Sequence, residues 1–281
     1  MASKPKSKAS NDVLLVVDGT WHIHRAFYIR PSSIQYMIFG WICQYIVETK
    51  ATHVLVAFDS GRSFRHDIMD GYKAGRPQKQ EGVKAPSDYL EPVARYLTML
   101  GVHCEFGECL EADDLLQTAA VQFPVVVKNG KVVLATPDKD NHQGLSEDCS
   151  ILKPASIKRG GNVRFTVQDL LESTGFTPAQ YLDYQTLIGD GVDKIPKILT
   201  PAVAKKIILK HKSLKRFLQK TPEFIEEHGF ELMRNRKLVK LLGNCFDLTV
   251  ERYKVSNIQK GRTDVKSPHY RQLSSANRSL F

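Results

Sequence analysis

The 281-residue sequence has no run approaching the ~18 consecutive apolar residues of a membrane-spanning helix, no Cys-x-x-Cys among its five cysteines and no metal-type spacing among its nine histidines. Those absences exclude a helical membrane protein, a disulfide-stapled scaffold and a thiolate zinc site. Cys43, Cys104, Cys109, Cys149 and Cys245 are odd in number and scattered, as expected of reduced thiols in a cytosolic protein. Met1 to Ser10 carries three lysines but no apolar signal core, so residues 1–11 read as a disordered tail. No internal repeat is present.

What the chain does have is an ordinary globular composition, 42% hydrophobic and 9% aromatic, at a length that buries a sizeable core. Its net charge of +10 is divided unevenly. Residues 1–190 carry 20 Lys+Arg against 22 Asp+Glu, whereas residues 191–281 carry 20 against 8. An acidic region followed by a basic third suits an enzyme that works on a polyanion.

The densest acidic stretch is Leu110-Glu111-Ala112-Asp113-Asp114, placed where the helical spacing of Leu115, Leu116, Ala119 and Ala120 predicts a helix start. Carboxylates this close raise one another's pKa unless they face water or hold a cation. Taken alone they could simply complement a helix N-terminus. Three other apolar, β-rich runs also end in aspartate. Asp18 follows Val13 to Val17, Asp59 follows Val54 to Phe58, and Asp138 with Asp140 follows Val132 to Ala135. A further pair, Asp190 and Asp193, lies in the loop from Ile188.

If those runs are neighbouring parallel strands, their ends meet where open α/β sheets bind ligands. The result is an all-oxygen pocket suited to Mg²⁺ or Mn²⁺. Its chemistry is metal-assisted phosphodiester cleavage, in which one ion activates water and a second stabilises the leaving oxygen.

The segment Ser60 to Asp88 is long, polar and basic, with Arg62, Arg65, Lys73, Arg76, Lys79 and Lys84. It is expected to be a mobile cover over the acidic pocket, with Tyr72 stacking on a base and Lys73 and Arg76 holding phosphates. Helices are expected at Ile34 to Val47, buried nearly all round, and at Ser87 to Leu100 with Ser87 as N-cap. Phe123 to Lys131 reads equally as a hairpin or a surface excursion. Further helices are expected at Val167 to Thr174, Pro178 to Ile188, Pro201 to Lys210, Ser213 to Leu218 and Glu231 to Leu242. Lys205, Lys206 and Lys210 share one side of their helix, suited to a phosphate backbone.

Six motifs in order then resemble the 5′-nuclease superfamily of phage 5′-3′ exonucleases, DNA polymerase I 5′-nuclease domains and flap endonucleases. They are Val16-Val17-Asp18-Gly19-Thr20 with Arg25-Ala26-Phe27; Phe58-Asp59 with Phe64-Arg65; and Tyr72-Lys73-Ala74-Gly75-Arg76-Pro77. The others are Glu111-Ala112-Asp113-Asp114, Thr136-Pro137-Asp138-Lys139-Asp140 and Gly189-Asp190-Gly191-Val192-Asp193-Lys194-Ile195-Pro196. The resemblance implies a mostly parallel sheet flanked by helices, a PIN-like fold with a helical arch and a C-terminal helical lobe.

It implies a core at residues 12–165 with the arch at 60–88, a lobe at 166–255 and a basic tail at 256–281. A first metal cluster would comprise Asp18, Asp59, Glu111, Asp113 and Asp114, and a second Asp138, Asp140, Asp190 and Asp193, holding two or more Mg²⁺ or Mn²⁺ ions. Lys73 and Arg76 would act at the scissile phosphate beside Asp113 and Asp140. Arg25, Arg65, Tyr72, Lys205 and Lys206 would bind DNA.

The implied substrate is DNA with a 5′ end or flap, extending to RNA–DNA hybrids, cut by a monomeric, free-standing phage-type enzyme in the cytoplasm. A binding protein that kept the scaffold without catalysis, and a PIN-type ribonuclease, are the alternatives. One departure stands out: Lys197-Ile198-Leu199-Thr200-Pro201-Ala202-Val203-Ala204-Lys205-Lys206 lacks the glycines of the family's duplex-binding helical hairpin. That argues against its potassium site and shifts the duplex contact to Lys205 and Lys206.

Overall fold

A computed structural model describes residues 12–75, 82–155 and 160–258. Arg76, the tail at 1–11 and the part of the basic tail from 259 onward lie outside them.

The run Leu14 to Val17 is fully buried on both faces, the mark of an internal parallel strand. It forms β1 (Val13–Asp18), with β2 (His53–Phe58) on one side and β4 (Lys131–Ala135) on the other. β3 (His103–Phe106) extends the sheet beyond β2, and β5 (Cys149–Lys153) with β6 (Val163–Phe165) extends it beyond β4. The order is β3-β2-β1-β4-β5-β6, parallel except for the antiparallel β6. The chain first builds outward from β1 through β2 and β3, then returns to place β4 on the opposite side. This reversal opens a crevice at the carboxyl ends of β1 and β4.

Alternate residues of β1 feed two cores. Leu15 and Val17 pack with α1 (Gly19–Ile29), α2 (Ile34–Thr49) and α4 (Leu90–Met99). Leu14 and Val16 pack beneath α5 (Ala112–Val126) and Leu170 of α6 (Val167–Thr174). Each such side chain contributes about 1.5–3 kcal/mol by leaving water. A third core joins Leu187 of α7 (Pro178–Ile188), Ala204 and Ile208 of α8 (Pro201–His211), Phe217 of α9 (Leu214–Lys220) and Leu232 of α10 (Pro222–Val239). Tyr253 and Ile258 then return to the sheet.

Three local expectations need correcting. Phe123 to Val126 is neither hairpin nor excursion but the last turn of α5: Phe123 is fully buried, and Pro124 sits where the helix is about to end. Ser87 caps no helix, because Pro86–Tyr89 is a 3₁₀ turn in which the Asp88 carboxylate accepts the Ala85 N–H. α10 begins at Pro222, nine residues before the expected start, carrying Phe230 and Met233 exposed on its outer side. Within the expected arch, the described residues contain one short α-helix, α3 (Arg65–Ile68), besides the 3₁₀ turn that begins at Pro86.

Candidate metal centre

Asp18 closes β1 and caps α1, accepting from the Trp21 N–H at 2.9 Å and the Thr136 hydroxyl at 3.1 Å. Burial pushes its carboxyl up to about 7, aided by the charges of Asp59 and Asp138 against those two hydrogen bonds. Asp59 follows β2 and accepts from the Ala112 N–H at 2.7 Å, tying that strand end to the start of α5. Beside them, one cleft is lined by Glu111, Asp113, Asp138, Asp140, Asp190 and Asp193, with Lys73, Tyr72 and Gln185.

Asp113 points from the first turn of α5 toward the sheet end, accepting from the Asn141 amide at 2.6 Å. Burial, with the charges of Asp138 and Asp18, pushes its carboxyl well above the ordinary range. Asp140 likewise rises to about 7 through burial and the charges of Asp138 and Asp190, opposed by the Gln185 amide. Asp138, the exposed member, influences Asp18, Asp113 and Asp140 alike, so its charge spans both expected clusters.

The Asp190/Asp193 loop is shaped by its backbone. Asp190 and Ile195 pair antiparallel, and Asp190 Oδ1 accepts from the Val192 and Asp193 N–H groups. Gly189 has φ +61, and a Cβ there would meet the Ile195 carbonyl oxygen at 2.4 Å, so the turn requires glycine. Lys194 has φ +64, a left-handed conformation that asparagine adopts more readily than lysine.

The basic residues divide. Lys73 enters the cleft: its Nζ is 2.7 Å from Glu111 and 3.8 Å from Asp193. Burial alone would raise the Glu111 carboxyl, but the charges of Lys73 and Arg65, with hydrogen bonds from Lys73 and Ser63, hold it below the ordinary range. Arg25 lies over the Trp41 ring at 4.6 Å, and Lys205 and Lys206 are exposed on α8.

Three assignments are corrected. Tyr72 is 5% exposed, its hydroxyl 3.3 Å from both Glu111 and Asp193, so its ring is not open to a base. Arg65 is 1% exposed and donates to both oxygens of Asp114 at 2.7 and 2.8 Å, and to the Leu238 and Lys240 carbonyls. It is therefore withdrawn from DNA. Asp114, fully buried, also accepts the Leu242 N–H, and is an internal counter-charge rather than an open metal ligand. Sequence reasoning missed Gln185 and Asn141, which hydrogen-bond Asp140 and Asp113. Neutral amides carry no charge pattern that would have marked them.

Among the described residues no three His, Cys, Asp or Glu side chains form a ready-made ion cage. The donor set nevertheless fits a hard divalent cation: it is all oxygen, its carboxylates repel one another, and such ions keep several waters of their own.

The model of the 5′-3′ exonuclease N-terminal, resolvase-like domain matches residues 13–175. DNA polymerase I of Mycobacterium leprae is 30% identical over 253 residues, covering 82% of this chain but 27% of that protein. The chain thus spans about a quarter of the length of such polymerase relatives. The 5′-3′ exonuclease of Aquifex aeolicus is 26% identical over 244 residues, 81% of each chain. In fold, the T5 5′-exonuclease with bound zinc superposes with a TM-score of 0.68 at 19% identity, over 95% of this chain and 99% of that one. The catalytic core of Rad2 in complex with DNA substrate follows at 0.55 and 16%, over 96% and 93%.

Proposed function

The chain belongs to the 5′-3′ exonuclease family, and on that premise we propose that it is a divalent-metal-dependent nuclease hydrolysing DNA from 5′ ends or at 5′ flaps, extending to RNA–DNA hybrids, in replication or repair. The observation that carries this reading is the cleft at the sheet's switch point, where Asp113, Asp138, Asp140, Asp190 and Asp193 gather, and where burial and neighbouring carboxylates push Asp113 and Asp140 above the ordinary range. Mg²⁺ or Mn²⁺, two or more ions, would be held there by these carboxylates with Asp18, Asp59 and Glu111. Bound, they supply the positive charge that makes phosphodiester hydrolysis accessible.

The chain's own groups orient the strand. Lys73, already directed into the cleft, and Arg76 neutralise charge developing on the phosphoryl oxygens. Arg25 contacts phosphate, while Lys205 and Lys206 on exposed α8 hold the duplex. The core at 12–165 thus supplies most of the carboxylates, and the lobe at 166–255 completes the metal site with Asp190 and Asp193 and grips the duplex. Substitution of side-chain for backbone contacts makes duplex binding salt-sensitive.

The test is to incubate end-labelled duplex, flap and RNA–DNA hybrid with Mg²⁺, using Ca²⁺ as a binding-only control. Metal-dependent products of one to a few nucleotides support an exonuclease, and a single cut at the junction a flap endonuclease. Binding without any product in Mg²⁺ or Mn²⁺ would overturn the reading in favour of a non-catalytic junction-binding protein.

A further inference from the structure

Asp140 is held by a neutral side chain whose orientation is dictated from a distance. The Gln185 Nε2 amide donates to Asp140 Oδ1, and Gln185 Oε1 accepts from Gln143 Nε2 at 3.1 Å. An amide can usually be turned end for end, but Gln143 cannot. Its Oε1 faces the Leu241 N–H at 3.2 Å, which only donates, and its Nε2 faces the Val239 carbonyl at 2.8 Å, which only accepts. With Gln143 fixed, Gln185 must present its carbonyl to Gln143 and its N–H to Asp140. The backbone that sets this order is held from its other side by Arg65, through the Leu238 and Lys240 carbonyls, and by Asp114 through the Leu242 N–H.

We infer that Gln185 and Gln143 are positioning residues that commit one oxygen of Asp140 to an internal hydrogen bond and leave the other for the cation in the cleft. The inference rests on the nuclease reading for the identity of that cation as a cofactor. A carboxylate held by one oxygen loses little freedom when a cation arrives, and outer hydrogen bonds of this kind are worth about 10–100-fold in metal affinity. Neither glutamine needs to touch substrate.

The experiment titrates Mn²⁺ alone into the DNA-free full-length protein, following unbound Mn²⁺ by electron paramagnetic resonance. Gln185→Leu is expected to weaken Mn²⁺ binding about tenfold. Gln143→Leu removes the donor that fixes Gln185 without adding charge, so the Gln185 amide is free to turn its carbonyl to Asp140 and Mn²⁺ binding weakens in the same direction. Because both act through one amide, the double variant should be no worse than Gln185→Leu alone. In DNA cleavage the Mg²⁺ concentration for half-maximal rate should rise about tenfold while kcat at saturating metal stays within about threefold, a split that general loosening of the fold would not give.

Unchanged Mn²⁺ binding in both variants, or losses that add in the double variant, would overturn the inference. Should Gln185→Leu fail to fold, Gln143→Leu decides alone, by weakened or unchanged Mn²⁺ binding. The two proposals fail differently: an unmodified protein that binds Mn²⁺ but cuts nothing removes the nuclease reading, whereas one that cuts while both variants bind normally removes the positioning role.

Discussion

Asp113 and Asp114 are adjacent on α5 and have opposite fates. A rotation of about 100° along the helix sends Asp114 toward Arg65, where both its oxygens are satisfied, and Asp113 toward Asp138 and Asp18, where burial and those charges drive its carboxyl well above the ordinary range. One carboxylate is matched by charge and serves the fold. Its neighbour is left short of positive charge and serves the cleft. The contrast teaches that acidic density in a sequence marks a place, while the partner each side chain meets decides its use.

The largest effect expected from breaking this contrast is on turnover. Asp113→Asn should lower the cleavage rate on the order of 10⁴-fold, about 5 kcal/mol of lost charge stabilisation, with DNA affinity in Ca²⁺ retained. A rate within tenfold of the unmodified protein would remove Asp113 from the centre. Next, Asp114→Ala should destabilise the protein by about 3–5 kcal/mol in urea unfolding, because it strands the Arg65 guanidinium in the interior. An exposed, unimportant carboxylate would give almost nothing.

Replacing both partners, Arg65→Met with Asp114→Leu, should recover roughly half of that loss, since no buried charge remains unpaired. Failure to recover would show that the backbone carbonyls bonded to Arg65 matter more than Asp114 does.

The smallest effect separates the two sites by pH. The Asp140 carboxyl titrates near 7 in the fold against an ordinary value of 3.8, so its contribution to stability is complete below pH 3.8 and is lost as pH rises through 7. Without metal, Asp140→Asn should therefore raise the melting temperature at pH 8 by about 4 °C and leave it unchanged near pH 3.5. A difference of equal size at both pH values would contradict the burial and repulsion that raise this carboxyl.

Much of this site can be read from the chain. Asp18, Asp59 and Asp138 stand at or just after the ends of short, unbroken, valine-rich apolar runs of the kind that form buried strands, and parallel pairing brings such ends together. Arg65 and Tyr72 could not be placed in this way. Arg65 is buried by carbonyls 173 and 175 residues away, and a basic residue in a polar stretch looks identical whether it faces DNA or a buried carboxylate. The start of α10 was hidden for another reason: Phe230 and Met233 on its outer side blur the apolar period on which recognition of a helix depends.

Sequence alone determined which strands lie inside, which acidic groups close them and the order of the family's motifs, because burial on both faces and short-range turn chemistry are local properties. Only the tertiary structure decided which carboxylates are left without a counter-charge, because that depends on long-range approach: Arg65 to Asp114, Lys73 to Glu111 and Gln185 to Asp140. Coulomb and hydrogen-bond energies depend on distance in space, and the chain fixes that distance only when it folds.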